Sequence, residues 1–265
     1  MANYKREKYN KCPLVEVTYQ LNFPAILSIE AKEPVNFQEA IRHIYPVYNQ
    51  QIEQQNEVLV NVDNAKANAV FNQQQVRKLH HFISEDQQWR ITLAKDMLAF
   101  STVKYDTWED LTARTVDVIK AFVDEYSPAF FTRIGLRYID AIERSILGLQ
   151  ETPWDELLQP HLCGCLGYKT EGDVKIRNSN VNAEVAFDDV FVNIASGLGT
   201  VDHHDGKTPS EAFILNCDYY IPKRISITDL AAMAAKLHDR SHTFFRESIT
   251  DKLHYSMDPK EIRNE

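Results

Sequence analysis

Glycine is scarce in this chain, eight residues in 265, and none of them builds G-x-G-x-x-G, G-x-S-x-G or a G-x-x-x-x-G-K loop followed by Ser or Thr. The common phosphate-cradling loops and the hydrolase nucleophile elbow therefore lose their usual signals. Cysteine is scarce too: Cys12, Cys163, Cys165 and Cys217 are too few for a disulfide framework and read as free thiols in a reducing compartment. Positive charge is in deficit, with a formal net charge of -9, which disfavours a broad phosphate-neutralising surface and hence DNA or RNA as main partner. No apolar run approaches the roughly 18–20 residues of a membrane span, and the basic start MANYKREKYNKCPLVEV leads into no apolar secretion segment. The sequence thus predicts a cytoplasmic, soluble protein.

What the chain does contain is apolar and aromatic substance, 44% and 11%, enough to fill a sizeable core. LVEVTYQLNF at 14–23 alternates, with Val15, Val17, Tyr19, Leu21 and Phe23 on one side, and predicts a strand with one buried face. Residues 36–57 begin like a helix, but Pro46 interrupts them, and the Gln, Asn and Glu excess beyond it reads as solvated surface. WRITLAKDMLAFSTVKY at 89–105 predicts a hairpin, with an earlier strand near Val76–Ile83 as its neighbour. Thr107-Trp-Glu-Asp110 opens a helix that Ser127-Pro128 closes.

The stretch at 128–142, PAFFTRIGLRYIDAI, then reads as a strand, and residues 145–180 are irregular and rich in Gly and Pro. Alternation returns in VNAEVAF, VFVNIAS and AFILNCDYYI. A long helix follows from Ser226-Ile-Thr-Asp229, and its apolar stripe runs through Leu237, Phe244, Ile249 and Leu253 until Pro259. The order of strands then helix occurs twice. It predicts an α+β protein of two similar halves, 1–144 and 181–265, joined by 145–180, each an antiparallel sheet covered by a long helix.

KYNKCPLVEVTYQLNFP, YSPAFFTRIGLRYIDAI, ILNCDYYI and LHDRSHTFFRESITDKLHYSMDP resemble, in that order and spacing, a sporadically distributed family of uncharacterised prokaryotic proteins of similar length. The resemblance covers nearly the whole chain. It implies no particular reaction, and it implies a setting among defence- or toxin-associated genes. Where that family carries Asp in the LDxDYY strand, this chain has Asn216.

Four places could carry chemistry. Arg133 and Arg137 fall on one face of the 128–142 strand, about 13 Å apart at roughly 3.3 Å per residue, with Gly135 between them. They could straddle an anionic ligand, or each could answer a carboxylate such as Glu16 or Glu184. Of the two, Arg137 lies deeper in the strand and is expected to matter more for stability. His238 and His242 stand one helical turn apart, but the general-base Glu of H-E-x-x-H is missing between them. HLCGC at 161–165 is a weak zinc signal without a second cysteine pair, and VDHHDGKT at 201–208 reads as an exposed hairpin loop.

No metal or cofactor is predicted. With no catalytic motif in view, the favoured reading is a non-catalytic protein-binding module. Its last helix would present Arg240 and Arg246 to a protein partner encoded by a neighbouring gene, and a homo-oligomer is compatible with this. The alternative is an enzyme or ligand-binding protein with an anionic small molecule in a pocket between the halves, lined by Arg133, Arg137, His238 and His242.

Overall fold

A computed structural model of the chain describes residues 4–63, 66–168, 176–203 and 208–261. The architecture is α+β, with a large antiparallel sheet, a small two-stranded one and several helices. In chain order the first elements are β1 (Glu7–Tyr9), β2 (Leu14–Asn22), α1 (Leu27–Ala31), α2 (Val35–Ile41), β3 (Val47–Asp63), β4 (Lys66–Ile83), β5 (Trp89–Ala94), β6 (Met97–Thr102) and α3 (Trp108–Tyr126). They are followed by β7 (Arg133–Ile142), α4 (Arg144–Leu147), α5 (Pro160–Cys163), β8 (Asn180–Phe187), β9 (Val190–Val201), β10 (Ser210–Ile221), α6 (Leu230–Ser248), α7 (Asp251–Ser256) and β11 (Pro259–Glu261). No helix among the described residues is long and apolar enough to cross a membrane.

The chain forms two compact units, one of Met1–Tyr19, Val103–Tyr105 and Arg133–Glu265, the other of Gln20–Thr102 and Asp106–Thr132. In the second unit β3, β4, β5 and β6 follow one another as antiparallel neighbours. Its core is aromatic: Phe37 meets Phe82 at 5.3 Å between ring centroids, and Phe23 meets Phe122 at 4.8 Å. Helix α3 starts where its cap predicts, Thr107 Oγ1 accepting from the Asp110 N–H at 3.1 Å. It ends at Ser127, whose φ of 46° is left-handed.

Beyond Pro46 residues 47–52 are exposed, as the solvated-surface reading expects, but they are also extended. The amide-rich stretch is β3, a 17-residue strand paired along its length with β4. Long polar strands hide their period of two, because Gln, Asn and Glu carry no apolar alternation to betray it.

In the first unit the strand order is β2, β7, β10, β9, β8, with β1 and β11 forming the small sheet. The even-numbered residues of β7 are buried or half-buried, with Ile134, Leu136 and Ile142 fully enclosed, and β10 contributes Phe213, Leu215, Cys217, Tyr219 and Ile221 to the same face. Helix α6 meets that face: Phe244 approaches Tyr219 at 6.2 Å, and Tyr138 hydrogen-bonds His238 Nδ1 at 3.2 Å. The stripe that predicts one helix as far as Pro259 is divided. Ile249 is extended and bridges Leu158, and Thr250 caps the separate helix α7 by accepting from the Leu253 N–H.

Candidate functional site

The opposite face of the β7–β10–β9–β8 sheet carries the arginines. Antiparallel register aligns Arg137 with Asp218, Asp218 with Asn193, and Asn193 with Glu184, a polar rung across four strands. The next rung brings Asn216, Ala195 and Asn182 into line. Because Ala195 is small, the two rungs enclose an open trough of about 530 Å3, lined by Arg137, Asn182, Glu184, Asn193, Asn216 and Asp218.

Arg133 is held inside this frame. Its Nη2 donates to Asp218 Oδ2 at 2.7 Å, and its guanidinium carbon stands 4.7 Å over the centroid of the Tyr220 ring. The side chain reaches there by lying across Gly135, where any Cβ would collide with Arg133 Nη1. Gly135 is therefore not a ligand gap between two arginines; Arg133 occupies it. Arg137 is tied more lightly, its Nε donating to Asn216 Oδ1 at 2.7 Å. Its terminal guanidinium nitrogens have no partner among the described residues and border the trough. Tyr220 donates to Glu184, a bond that, with burial, raises its hydroxyl pKa. The partners the sequence suggested, Glu16 and Glu184, are thus replaced by Asp218 and Asn216.

These contacts reverse the expected ranking of the two arginines. Arg133→Ala is expected to lower stability by about 1–2 kcal/mol, between the value of an exposed pair and that of a buried one, since it leaves a half-buried carboxylate unanswered. Arg137→Ala removes one bond to a neutral amide and is expected to cost about 0.5–1 kcal/mol. Denaturant melts of the two variants check this, and a larger loss for Arg137→Ala would contradict it.

The histidines stand on the other side of the sheet. His238 bonds Tyr138, which alternation places opposite in facing to Arg137. His242 is pushed below the usual imidazole pKa by burial, with Glu7, Arg6 and Asp239 as its charged neighbours. The structure thus brings Arg133 and Arg137 together, and His238 and His242 together, but puts the two pairs on opposite faces. The outward arginines of α6 are also engaged. Arg240 lies 4.4 Å over the Phe187 ring, and Arg246 pairs with Asp251 and stacks 5.4 Å from the centroid of Tyr4.

Two further clusters have the right atoms in the wrong geometry. Ser210, His203 and Glu143 meet where β7 ends and β10 begins, a juxtaposition visible only once the strand register is known. A catalytic relay needs the acid on one imidazole nitrogen and the hydroxyl on the other. Here His203 Nε2 faces Glu143 Oε2 at 2.8 Å and Ser210 Oγ at 3.4 Å, and Ser210 donates to Glu143 instead. The remaining groups of that loop, His204 and Asp205, lie outside the described residues.

In HLCGC, His161 Nε2 turns to Ser248 Oγ at 3.0 Å, while the buried Cys163 thiol donates to the Leu158 carbonyl at 3.4 Å and Cys165 is exposed. Among the described residues no three His, Cys, Asp or Glu side chains converge on a metal-sized centre.

No protein-family model matches the chain, nor does any curated protein or any solved structure.

Proposed function

We propose that the protein is a non-catalytic binding module of a prokaryotic, defence- or toxin-associated system. In this reading it takes an extended segment of a protein partner, the product of a neighbouring gene, on the outer face of the β7–β10–β9–β8 sheet. The observation that carries the reading is the trough itself, six polar side chains held in register beside β8, whose outer edge has no strand paired to it among the described residues. A free edge recognises any extended backbone, and the side chains next to it select which one. Glu184 on β8 and the net charge of -9 favour a segment carrying Lys or Arg. The resemblance drawn from the sequence supports the genetic setting. The similarity of the two halves belongs to the same proposal and is supported by the equal lengths of α3 and α6, 19 residues each.

Asn193→Arg tests the site. An arginine there would sit at an exposed position between Glu184 and Asp218 in the rung, so the fold tolerates it while the trough is filled. The variant is expected to melt within about 2 °C of the parent, as surface substitutions do, and to lose the co-purifying partner from the native host. A well-folded variant that keeps the partner would move the interface elsewhere.

One observation favours a second reading, an anionic small molecule: the terminal donors of Arg137 open onto the trough. Citrate at millimolar concentration should then raise the melting temperature of the parent and not of Arg137→Ala.

A further inference from the structure

One guanidinium is seated beside the trough by the chain itself, and the same face offers a second seat of similar make. The rung next to Arg137 and Asp218 aligns Gly135 with Tyr220, Tyr220 with Phe191, and Phe191 with Ala186. The two middle rings stack, with 5.6 Å between centroids and 26° between planes. At one end of this row Arg133 fills the space that Gly135 leaves, its guanidinium over the Tyr220 ring and its Nη2 on Asp218. A small residue, a ring and a carboxylate together hold it.

The same three kinds of group recur at the other end, without an arginine from the chain. Ala186 is small and exposed, and it stands beside Phe191 as Gly135 stands beside Tyr220. Among the described residues Phe191 has Tyr220 as its one ring partner and no cation over it. Glu184 is two residues from Ala186 on the same side of β8 and is exposed. Its Oε1 accepts from Tyr220, while its Oε2 has no partner among the described residues. A lysine could answer this carboxylate, but its ammonium is a compact, strongly hydrated point charge. A planar guanidinium lies flat on a ring while its edge donates to an acid, so the ring separates the two cations where charge alone does not.

We propose that this seat, floored by Ala186 and walled by Phe191 and Glu184, takes an arginine of the partner segment in preference to a lysine. The inference rests on the trough face as the docking surface and narrows what that surface selects to one side chain.

Fluorescence anisotropy of labelled hexa-arginine and hexa-lysine on the full chain, at about 0.15 M salt to screen general attraction to an acidic protein, reads the preference directly. The parent is expected to bind hexa-arginine about fivefold more tightly than hexa-lysine. Phe191→Leu keeps apolar bulk and removes the ring face, and Ala186→Leu fills the seat at an exposed position, so each should bring the two peptides to equal affinity. Asn193→Arg should weaken both peptides together, because it fills the trough. Equal affinities in the parent, or a preference that both leucine variants keep, would overturn the arginine seat, and the trough reading would survive that result if Asn193→Arg still weakened both peptides. Neither peptide binding the parent at about 1 mM protein would overturn the seat and the trough together.

Discussion

Asp140→Asn is expected to remove a loss of stability that the parent suffers as the pH rises from about 4 to about 7, an interval fixed by the pKa of a free carboxyl and that of this buried one. Asp140 is 8% exposed on the inner face of β7, opposite Leu215, and no side chain hydrogen-bonds it among the described residues. Its charged form would feel Tyr9, Cys12, Tyr138, Cys217 and Tyr219 and, among the described residues, no cation, and burial pushes its pKa up to about 7.

The unfolded chain releases this proton near pH 4, so between the two values the unfolded state holds fewer protons than the folded one. Stability therefore falls with rising pH through the interval and levels off above it, by about 4 kcal/mol at 1.36 kcal/mol per pH unit. An asparagine carries no charge to bury, though its amide donors cost about 1–3 kcal/mol unpaired, leaving a net gain of about 1–3 kcal/mol at pH 8. Burial lowers the pKa values of His80, His81, His161, His242 and His254, which weakens the fold as pH falls below about 6.5 in both proteins. The difference between the parent and variant curves isolates Asp140. Parallel curves from pH 4 to pH 8 would show that Asp140 is solvated or paired.

Leu237→Ala is expected to cost about 2–5 kcal/mol. Leu237 is fully buried at the centre of the inward stripe of α6, between Ala234 and Ser241 and about two turns from Leu230 and Phe244. Alanine is the better helix former, so the loss would come from the cavity and the missing apolar contacts and not from the helix itself. Asp239→Ala, two positions on and exposed, should change stability by less than about 0.5 kcal/mol. Equal, small shifts for both would mean that α6 does not bury its apolar stripe in the first unit.

Where apolar residues alternate, the elements were legible: Val17, Tyr19 and Leu21 in β2, Ile134 and Leu136 in β7, Phe213 to Ile221 in β10. Thr107 marked a helix start for a local reason, its own hydroxyl. Legibility ends where the deciding interaction is distant or the pattern is polar. The amides of β3 carry no periodic signal, and nothing near Ile249 announces that it leaves the helix to bridge Leu158, since its apolar side chain continues the stripe. The trough is a tertiary object. Arg137, Asn182, Asn193 and Asp218 come from four strands, and only their register makes them neighbours. Arg133 and Arg137 were visible as a pair, but their different fates depend on whether Asp218 or Asn216 lies within reach.

Docking of the partner on the trough face, and not on the outer face of α6, is tested by photo-crosslinking in the native host. A photoreactive phenylalanine at Asn193, in the trough, is expected to trap one discrete partner on illumination, while the same group at the exposed Asp239 of α6 should trap none. A partner captured from position 239 and not from position 193 would place the interface on α6 and not on the trough.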